Sequence, residues 1–369
     1  MFTLQDLDEA VADGAVTPDA ADRLRAHLEA RRASPSVDEE QFRLLTGFND
    51  IFVSIAAVIL LFSVGFIGAK IGTGFGPRDV FGMSAAPFAL AGLVVAATAW
   101  GLALFFTARR RMALPSIVLL LAFVSGLFVA GSMAMTMVLQ PADSASDQTQ
   151  VSIVLAVGAA LAVAGAWLHW RRFKVPITIA AGAAALAAFA MSLVTSAIPV
   201  NDAKDTIVLI VILLLGIATF LFAMRWDSSD PQRTTRRSDV AFWLHLLAAP
   251  MIVHPVFALL GLTSGTASIG EGLVVVGLYV VLGVTALAID RRALLVSALA
   301  YVLYALSSLF REFGAVELNV ALTALVIGSA LLLLSAFWHH ARRRVVEALP
   351  AGLRGYLPTL DRVSPLPAA

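Results

Sequence analysis

The stretch ALAGLVVAATAWGLALFFTARRR, residues 89–111, decides the fold of this chain. A long run without any charge leads directly into three consecutive arginines, Arg109 to Arg111. A helix needs about 20 apolar residues to cross the hydrocarbon core of a bilayer. The stretch therefore predicts a membrane-spanning helix that ends at a basic loop.

The same pattern recurs along the chain. Hydrophobic residues make up 59% of the sequence and charged residues 14%, whereas a soluble domain carries about 25% charge. We predict an all-α, polytopic membrane protein with about ten transmembrane helices in residues 47–340, a lead-in region 1–46 and a tail 341–369. The spans are predicted at about 48–69, 84–107, 114–138, 151–169, 175–198, 205–225, 239–262, 270–289, 293–311 and 316–338.

The loops between these spans differ in charge. Alternate loops hold 15 lysines and arginines on one side and 4 on the other. Because basic loops stay in the cytoplasm, both termini are predicted to be cytoplasmic. The acidic N-terminus has no apolar core of a signal peptide, and the alanine- and arginine-rich composition is typical of a GC-rich bacterium. We expect a multi-pass protein of a bacterial inner membrane.

Residues 1–46 predict a small helical hairpin and a lead-in helix. Gly14 is expected to end the first helix, and Thr17-Pro18-Asp19 has the order N-cap, proline at N1 and acid in the first turn. The segment DGAVTPDAADRL, followed by a multi-span region, resembles a bacterial family of predicted membrane proteins with an N-terminal domain of unknown function. That resemblance implies the order of parts and no activity or site residues.

Polar residues inside the predicted spans are the candidate functional groups. Two series of residues follow spacings of four, three, four and three, which keeps each series on one helix face. The polar and small series of the first span is Arg43, Gly47, Asp50, Ser54 and Ala57, and the polar series of the ninth is Ser297, Tyr301, Tyr304, Ser308 and Arg311. They could hydrogen-bond between helices or line a wet path for a solute. With His254, the polar members from Asp50 onward form a candidate polar seam: Asp50, Ser54, His254, Ser297, Tyr301, Tyr304, Ser308 and Arg311.

The seventh predicted span contains two histidines, His245 and His254. Nine residues of helix place them on opposite faces, about 13 Å apart along the axis, so one metal ion cannot bind both. We expect His245 to anchor the interface or to hydrogen-bond another helix. Pro255 removes an N–H and leaves the Met251 carbonyl without its helical donor, so a pocket near His254 is the functional interpretation. His169, at the end of the fourth span, is expected to be an interfacial anchor.

Several classes of chemistry lack their sequence signals. There is no cysteine, which excludes thiolate catalysis and cysteine-bound metals, and no common hydrolase, zinc or nucleotide motif occurs. We expect no enzyme activity, cofactor, metal or nucleic-acid partner.

Three functions remain open. The first is a membrane protein that moves or senses a small solute along the polar seam. The second is a scaffold or regulator whose residues 1–35 recruit a cytoplasmic protein. The third is a haem- or quinone-linked membrane protein that uses its histidines.

Overall fold

The computed structural model describes residues 11–14, 16–24, 48–74, 85–139, 148–198, 204–231, 233, 235–261, 269–292, 319–358 and 360, with six positions between 295 and 307. It divides into two compact units, residues 1–44 with 361–369, and residues 45–360. In the first unit, the Thr17 hydroxyl accepts a hydrogen bond from the Ala20 amide at 3.4 Å, which confirms the predicted N-cap. Gly14 has φ +70°, the left-handed conformation that commonly ends a helix.

The second unit is all-helical over its described residues. We number its helices in chain order: α1 Phe48–Gly72, α2 Ala85–Phe106, α3 Ala113–Leu139, α4 Gln148–Phe173, α5 Ile177–Ala197, α6 Lys204–Ser228, α7 Arg236–Leu259, α8 Ile269–Ile289, α9 Asn319–Ala336, α10 Trp338–Ala348 and α11 Ala351–Arg354.

Among the described residues, α1 to α7 are long and apolar enough to cross a membrane, and they match the first seven predicted spans. Helix α8 matches the eighth span. Most of the ninth, 293–311, lies outside the described residues. Helix α9 covers most of the predicted tenth span, and the chain then bends by 75° at Phe337 into α10. The two helices together are long and apolar enough to form one membrane span. A total of ten spans stays a prediction.

Helix packing in the first half depends on small residues. A Cβ atom on Gly92 of α2 would lie 2.6 Å from the Gly126 carbonyl oxygen of α3, so the two backbones are in contact. Helices α3 and α4 are also in close contact, because a Cβ on Gly158 of α4 would lie 2.6 Å from the Phe128 carbonyl oxygen. Lipid provides no hydrophobic driving force between helices, so close packing through small residues stabilises these contacts.

Four of the connections after helices share one backbone feature. Each of the connections that follow α2, α4, α6 and α8 contains a non-glycine residue in the left-handed conformation, namely Arg111, Lys174, Arg233 and Asp290, with φ between 53° and 56°. After α8, the Arg291 amide donates to the Ala286 carbonyl at 2.9 Å, the long bond of a Schellman cap. We call the end of the helix bundle that carries these connections the basic end.

Candidate functional site

The basic end contains a buried group of charged side chains, which we call the charged cluster. Its members come from the end of α6, the connection before α7, α7 itself, the residues after α8, and α10. The side chain of each member is less than a tenth exposed: Asp227, Arg233, His245, Asp290, Arg291, Trp338 and Arg342.

Asp227 is the centre of the first half of the cluster. Its Oδ1 atom lies 2.5 Å from Nη2 of Arg291, and its Oδ2 atom accepts from Nε of the same guanidinium at 3.3 Å. This is the forked arrangement that an arginine makes with a carboxylate. Arg291 Nη2 also donates to the Ser238 carbonyl at 3.1 Å, so one side chain ties α6, α7 and the residues after α8 together.

His245 is the second hydrogen-bond partner of Asp227. Its Nε2 atom lies 3.0 Å from Asp227 Oδ2, and its side chain is fully buried. A carboxylate paired with arginine can only accept, so Nε2 carries the proton. The Nδ1 atom has no hydrogen-bond partner among the described residues. The prediction that His245 hydrogen-bonds another helix is confirmed.

Asp290 is the centre of the second half. Its Oδ2 atom lies 3.0 Å from Arg233 Nη1, and its Oδ1 atom accepts from the Trp338 indole N–H at 2.7 Å. Arg233 also donates to the Asp290 and Ile289 carbonyls, at 3.1 and 2.9 Å. Arg342 Nε lies 3.7 Å from Oδ1, and Arg342 Nη2 donates to the Pro358 carbonyl at 2.7 Å. Asp290 therefore links the end of α8 to α10 and the segment after it.

The backbone of this second half is strained. Asp290 and Arg233 both have positive φ, which costs a non-glycine residue about 1–2 kcal/mol. Glycine would avoid that cost but could not supply the carboxylate or the guanidinium. The strain is therefore offset by the ion pair that the two side chains form.

The electrostatics of Asp227 explain its dependence on Arg291. Asp227 lies in the last turn of α6, where the helix dipole disfavours a negative charge. It is also almost fully buried, at 2% exposure. An adjacent permanent cation is thus required to keep a carboxylate at this position, and Arg291 provides it.

The functional candidates of the seventh span, His254 and the Met251 carbonyl, are not part of the charged cluster. The His254 side chain is exposed at the outer surface of the bundle. The Met251 carbonyl, which Pro255 leaves without a helical donor, is covered by α6: a Cβ on Gly216 would lie 2.9 Å from its oxygen. The expected pocket at this disturbed backbone is therefore closed, because a glycine lets the neighbouring helix reach it.

The other seam candidates fall into two groups. Asp50 and Ser54 are buried on α1, where the Ser54 hydroxyl donates to the Asp50 carbonyl at 2.7 Å, and α1 packs on α2 and α3. They are thus in a different part of the bundle from His254 on α7. The remaining five lie outside the described residues: Ser297, Tyr301, Tyr304, Ser308 and Arg311.

His169 is a second buried histidine at the basic end. It is fully buried rather than an interfacial anchor. Its Nδ1 atom lies 3.2 Å from the Thr178 hydroxyl of α5, and its ring packs 4.6 Å from Phe173 and 6.2 Å from Trp100, measured between centroids. Its position beside Trp170 and Arg171 in the sequence favours an interface, but aromatic rings of α4 itself and of α2 pack around it.

Sequence reasoning missed most of the charged cluster. The charge pattern assigns Arg233, Arg291 and Arg342 to basic loops, and it predicts no role for Asp227 and Asp290. One signal is present for Asp290, which directly follows an apolar run and directly precedes Arg291 and Arg292. The partners of both acids are distant in sequence, with 64 residues between Asp227 and Arg291.

Comparison with protein-family models, curated proteins and solved structures gave no match. The class that the fold defines is an all-α protein whose long apolar helices fit a multi-pass membrane protein. Within the part of the chain that the structure describes, no group of three metal-binding side chains occurs.

Proposed function

We propose that this chain is a bacterial inner-membrane protein that moves or senses a small solute, and that the charged cluster is its cytoplasmic gate. The observation that carries the proposal is the buried contact of Asp227 with both His245 and Arg291. Ionisable side chains buried within a membrane protein are rare and mark ion or solute pathways. The cluster joins helices that must separate if that end of the bundle is to open.

The energetics of a buried ion pair favour a switch over a permanent clamp. Removing two charges from water costs nearly as much as their attraction returns. If water enters and the helix ends separate, the same charges regain their hydration. The closed and open arrangements can therefore be close in free energy, which an element with two states requires.

The polar seam remains part of this proposal in a narrower form. His254 faces outward, and Asp50 and Ser54 belong to the α1–α3 part of the bundle. The hydroxyls of the ninth predicted span, Ser297, Tyr301, Tyr304 and Ser308, with Arg311 at its outer end, are the candidates for a solute path behind the gate.

The absence of cysteine in the chain allows a direct test. Ala249 of α7 is fully buried and belongs to the same hydrophobic cluster as Leu287, Ile289 and Trp338. Ala99 of α2 is also fully buried, but in the core of the first half. We would introduce Ala249→Cys or Ala99→Cys and measure labelling by an impermeant cationic thiol reagent at the cytoplasmic face of inside-out vesicles.

If the charged cluster is a gate, we expect labelling at position 249 and not at position 99. The cysteine at 249 should react slowly in the otherwise unchanged chain, because the gate opens transiently. It should react at least about tenfold faster with Asp227→Asn or Arg291→Gln, because each substitution destabilises the closed state by about 1.4 kcal/mol or more. The cysteine at 99 should stay protected in every background. Asp205→Asn, which changes an exposed acid at the other end of α6, is the matched control.

Two results would refute the gate. If position 249 stays protected in the Asp227 and Arg291 variants, the cluster does not control access. If positions 249 and 99 become reactive together, the cluster is a stability element of the whole fold, and a membrane-anchored scaffold becomes the better proposal. Removal of residues 1–35, with membrane insertion checked, would then test partner recruitment.

A further inference from the structure

One ring nitrogen of His245 has no partner in the charged cluster. Its Nε2 atom is bonded to Asp227, whereas Nδ1 is buried and has no hydrogen-bond partner among the described residues. The Phe220 ring of α6 packs against the imidazole at 5.2 Å between centroids. Because Nε2 carries the proton, Nδ1 has a free lone pair, and this is the atom at which the imidazole would take up a second proton.

Three charged side chains act electrostatically on His245. Asp227 lies on α6, Arg233 in the connection before α7, and Arg291 after α8. Asp227 is neutralised by Arg291, and Arg233 forms its ion pair with Asp290. A second proton on His245 would therefore add a buried positive charge beside a carboxylate that already has a cation.

The other elements around the charged cluster contribute groups that keep one charge near neutral pH. Helix α5 packs on α7 and has no titratable side chain from Ile177 to Ala197. Tyr279 of α8 packs on the hydrophobic cluster that contains Ala249, and tyrosine titrates near pH 10. Arg342 of α10 is permanently charged. Of the buried groups described around the cluster, His245 is therefore the one whose charge can change near neutral pH.

His245 and Asp227 belong to two helices that are held together apart from the charges. Helix α6 ends at Ser228 and α7 begins at Arg236, and a Cβ on Gly216 of α6 would lie 2.8 Å from the Met251 carbonyl carbon of α7. Arg291 reaches them from after α8. If the gate opens between the α6–α7 pair and the residues after α8, Asp227 loses Arg291 but keeps His245.

We propose that opening of the gate takes up one proton from the cytoplasm at Nδ1 of His245, so that the imidazolium replaces Arg291 as the charge partner of Asp227. The proton comes from water and binds the Nδ1 lone pair, the Nε2–H stays bonded to Asp227, and closure returns the proton to water. Asp227 is thus neutralised in both arrangements. The inference rests on the proposed gate and names the proton as its coupling ion, a role that intramembrane histidines and acids have in pumps and transporters.

The experiment measures how the accessibility of Ala249→Cys depends on pH in the full-length chain. Inside-out vesicles are labelled with the impermeant cationic thiol reagent at pH 7.5 and at pH 5.5, at concentrations where the rate is proportional to the reagent. Each rate is divided by the rate at Ser229→Cys, an exposed position at the same end. This ratio corrects for the loss of thiolate, the reactive form, at low pH.

Two histidine substitutions on α7 are compared. The amide of His245→Gln can still donate to Asp227 but does not titrate, and His254→Gln changes an exposed histidine of the same helix. An accessible histidine titrates near pH 6.5, so the ratio should rise about tenfold from pH 7.5 to pH 5.5 when only the open state takes up the proton. The rise should be absent in His245→Gln and unchanged in His254→Gln.

A second pair of variants tests the exchange of charge partners without altering His245. Arg291→Lys keeps a cation beside Asp227, so the ratio should still rise as the pH falls. Arg291→Gln leaves Asp227 to the imidazolium in the closed state as well, so the ratio should no longer rise. This pair decides the question if His245→Gln does not fold.

Failure of the gate and failure of the proton site give different results. If position 249 stays protected in Asp227→Asn, the gate is refuted, and the proton site with it. If position 249 becomes reactive in Asp227→Asn but the ratio in the otherwise unchanged chain is equal at both pH values, the gate stands and the proton site is refuted. A rise that persists in His245→Gln or in Arg291→Gln also refutes the proton site.

Discussion

His245 and Asp227 lie on adjacent helices, 18 residues apart in sequence, with Nε2 of the histidine 3.0 Å from Oδ2 of the aspartate. Both side chains are almost fully buried, and Arg291 approaches the aspartate from the residues after α8. This one contact joins three segments of the bundle at the basic end. The stability of that end should therefore depend on each of the three side chains.

Asp227→Asn should destabilise the protein strongly. The substitution keeps the shape of the side chain but leaves the Arg291 guanidinium buried without an opposite charge, which costs about 3–5 kcal/mol. The thermal unfolding midpoint in detergent measures the effect. Asp205→Asn, on the exposed first turn of the same helix, should change it little. Equal midpoints for the two variants would contradict the role assigned to Asp227.

Substitution by alanine should affect the two histidines of α7 differently. His245→Ala removes a buried hydrogen bond to a charged group, worth about 1.5–3 kcal/mol, and leaves a cavity beside Phe220, whose ring centroid is 5.2 Å from that of His245. His254→Ala alters an exposed surface position and should stay within about 0.5 kcal/mol of the parent. The same unfolding midpoints test this pair, and a larger loss for His254 would be inconsistent with the packing of α7.

Two glycines of α2 offer a matched test of helix packing. Gly92→Ala would place a methyl group 2.6 Å from the Gly126 carbonyl oxygen, and such overpacking costs about 1–3 kcal/mol. Gly101→Ala meets nothing within 4 Å and should be neutral, or stabilising by up to about 1 kcal/mol because alanine favours helix. Similar effects at the two positions would show that α2 and α3 are not in backbone contact.

The number and direction of the spans can be tested with single cysteines. Ser229→Cys lies at the basic end, Ala197→Cys at the other end of α5, and Gly352→Cys in α11; all three positions are exposed. With cytoplasmic basic loops and an even number of spans after α6, an impermeant maleimide should label position 197 from outside the membrane and positions 229 and 352 only after lysis. Labelling of position 352 from outside would rule out ten spans.

The membrane helices could be predicted because their cause is local. A run of about 20 apolar residues has one stable arrangement in lipid, where every backbone group must be bonded within the helix. Residues 89–111 contain both the run and the arginines that end it. The N-cap at Thr17 could be predicted for a similar reason, since the hydrogen bond that defines it spans three residues.

The charged cluster could not be predicted, because its contacts depend on which helices become neighbours. Arg291 and Arg292 are adjacent and chemically identical in the sequence. The fold buries the first against Asp227 and Ser238 and places the second over the Trp338 ring. The turn after α8, with Asp290 in the left-handed conformation, directs the two side chains to different surroundings.

The stretch at 242–255 shows the same division within one helix. From the sequence alone, helical periodicity placed His245 and His254 on opposite faces, so that one metal ion could not bind both. The periodicity does not tell which of the two faces is buried. That depends on the packing of α6 against α7 through Gly216 and on the contact between Asp227 and His245. The sequence by itself determined the helices, the basic ends and the N-cap, whose causes lie within a few residues. The tertiary structure alone decided which charges are buried together, because that is a property of neighbouring helices.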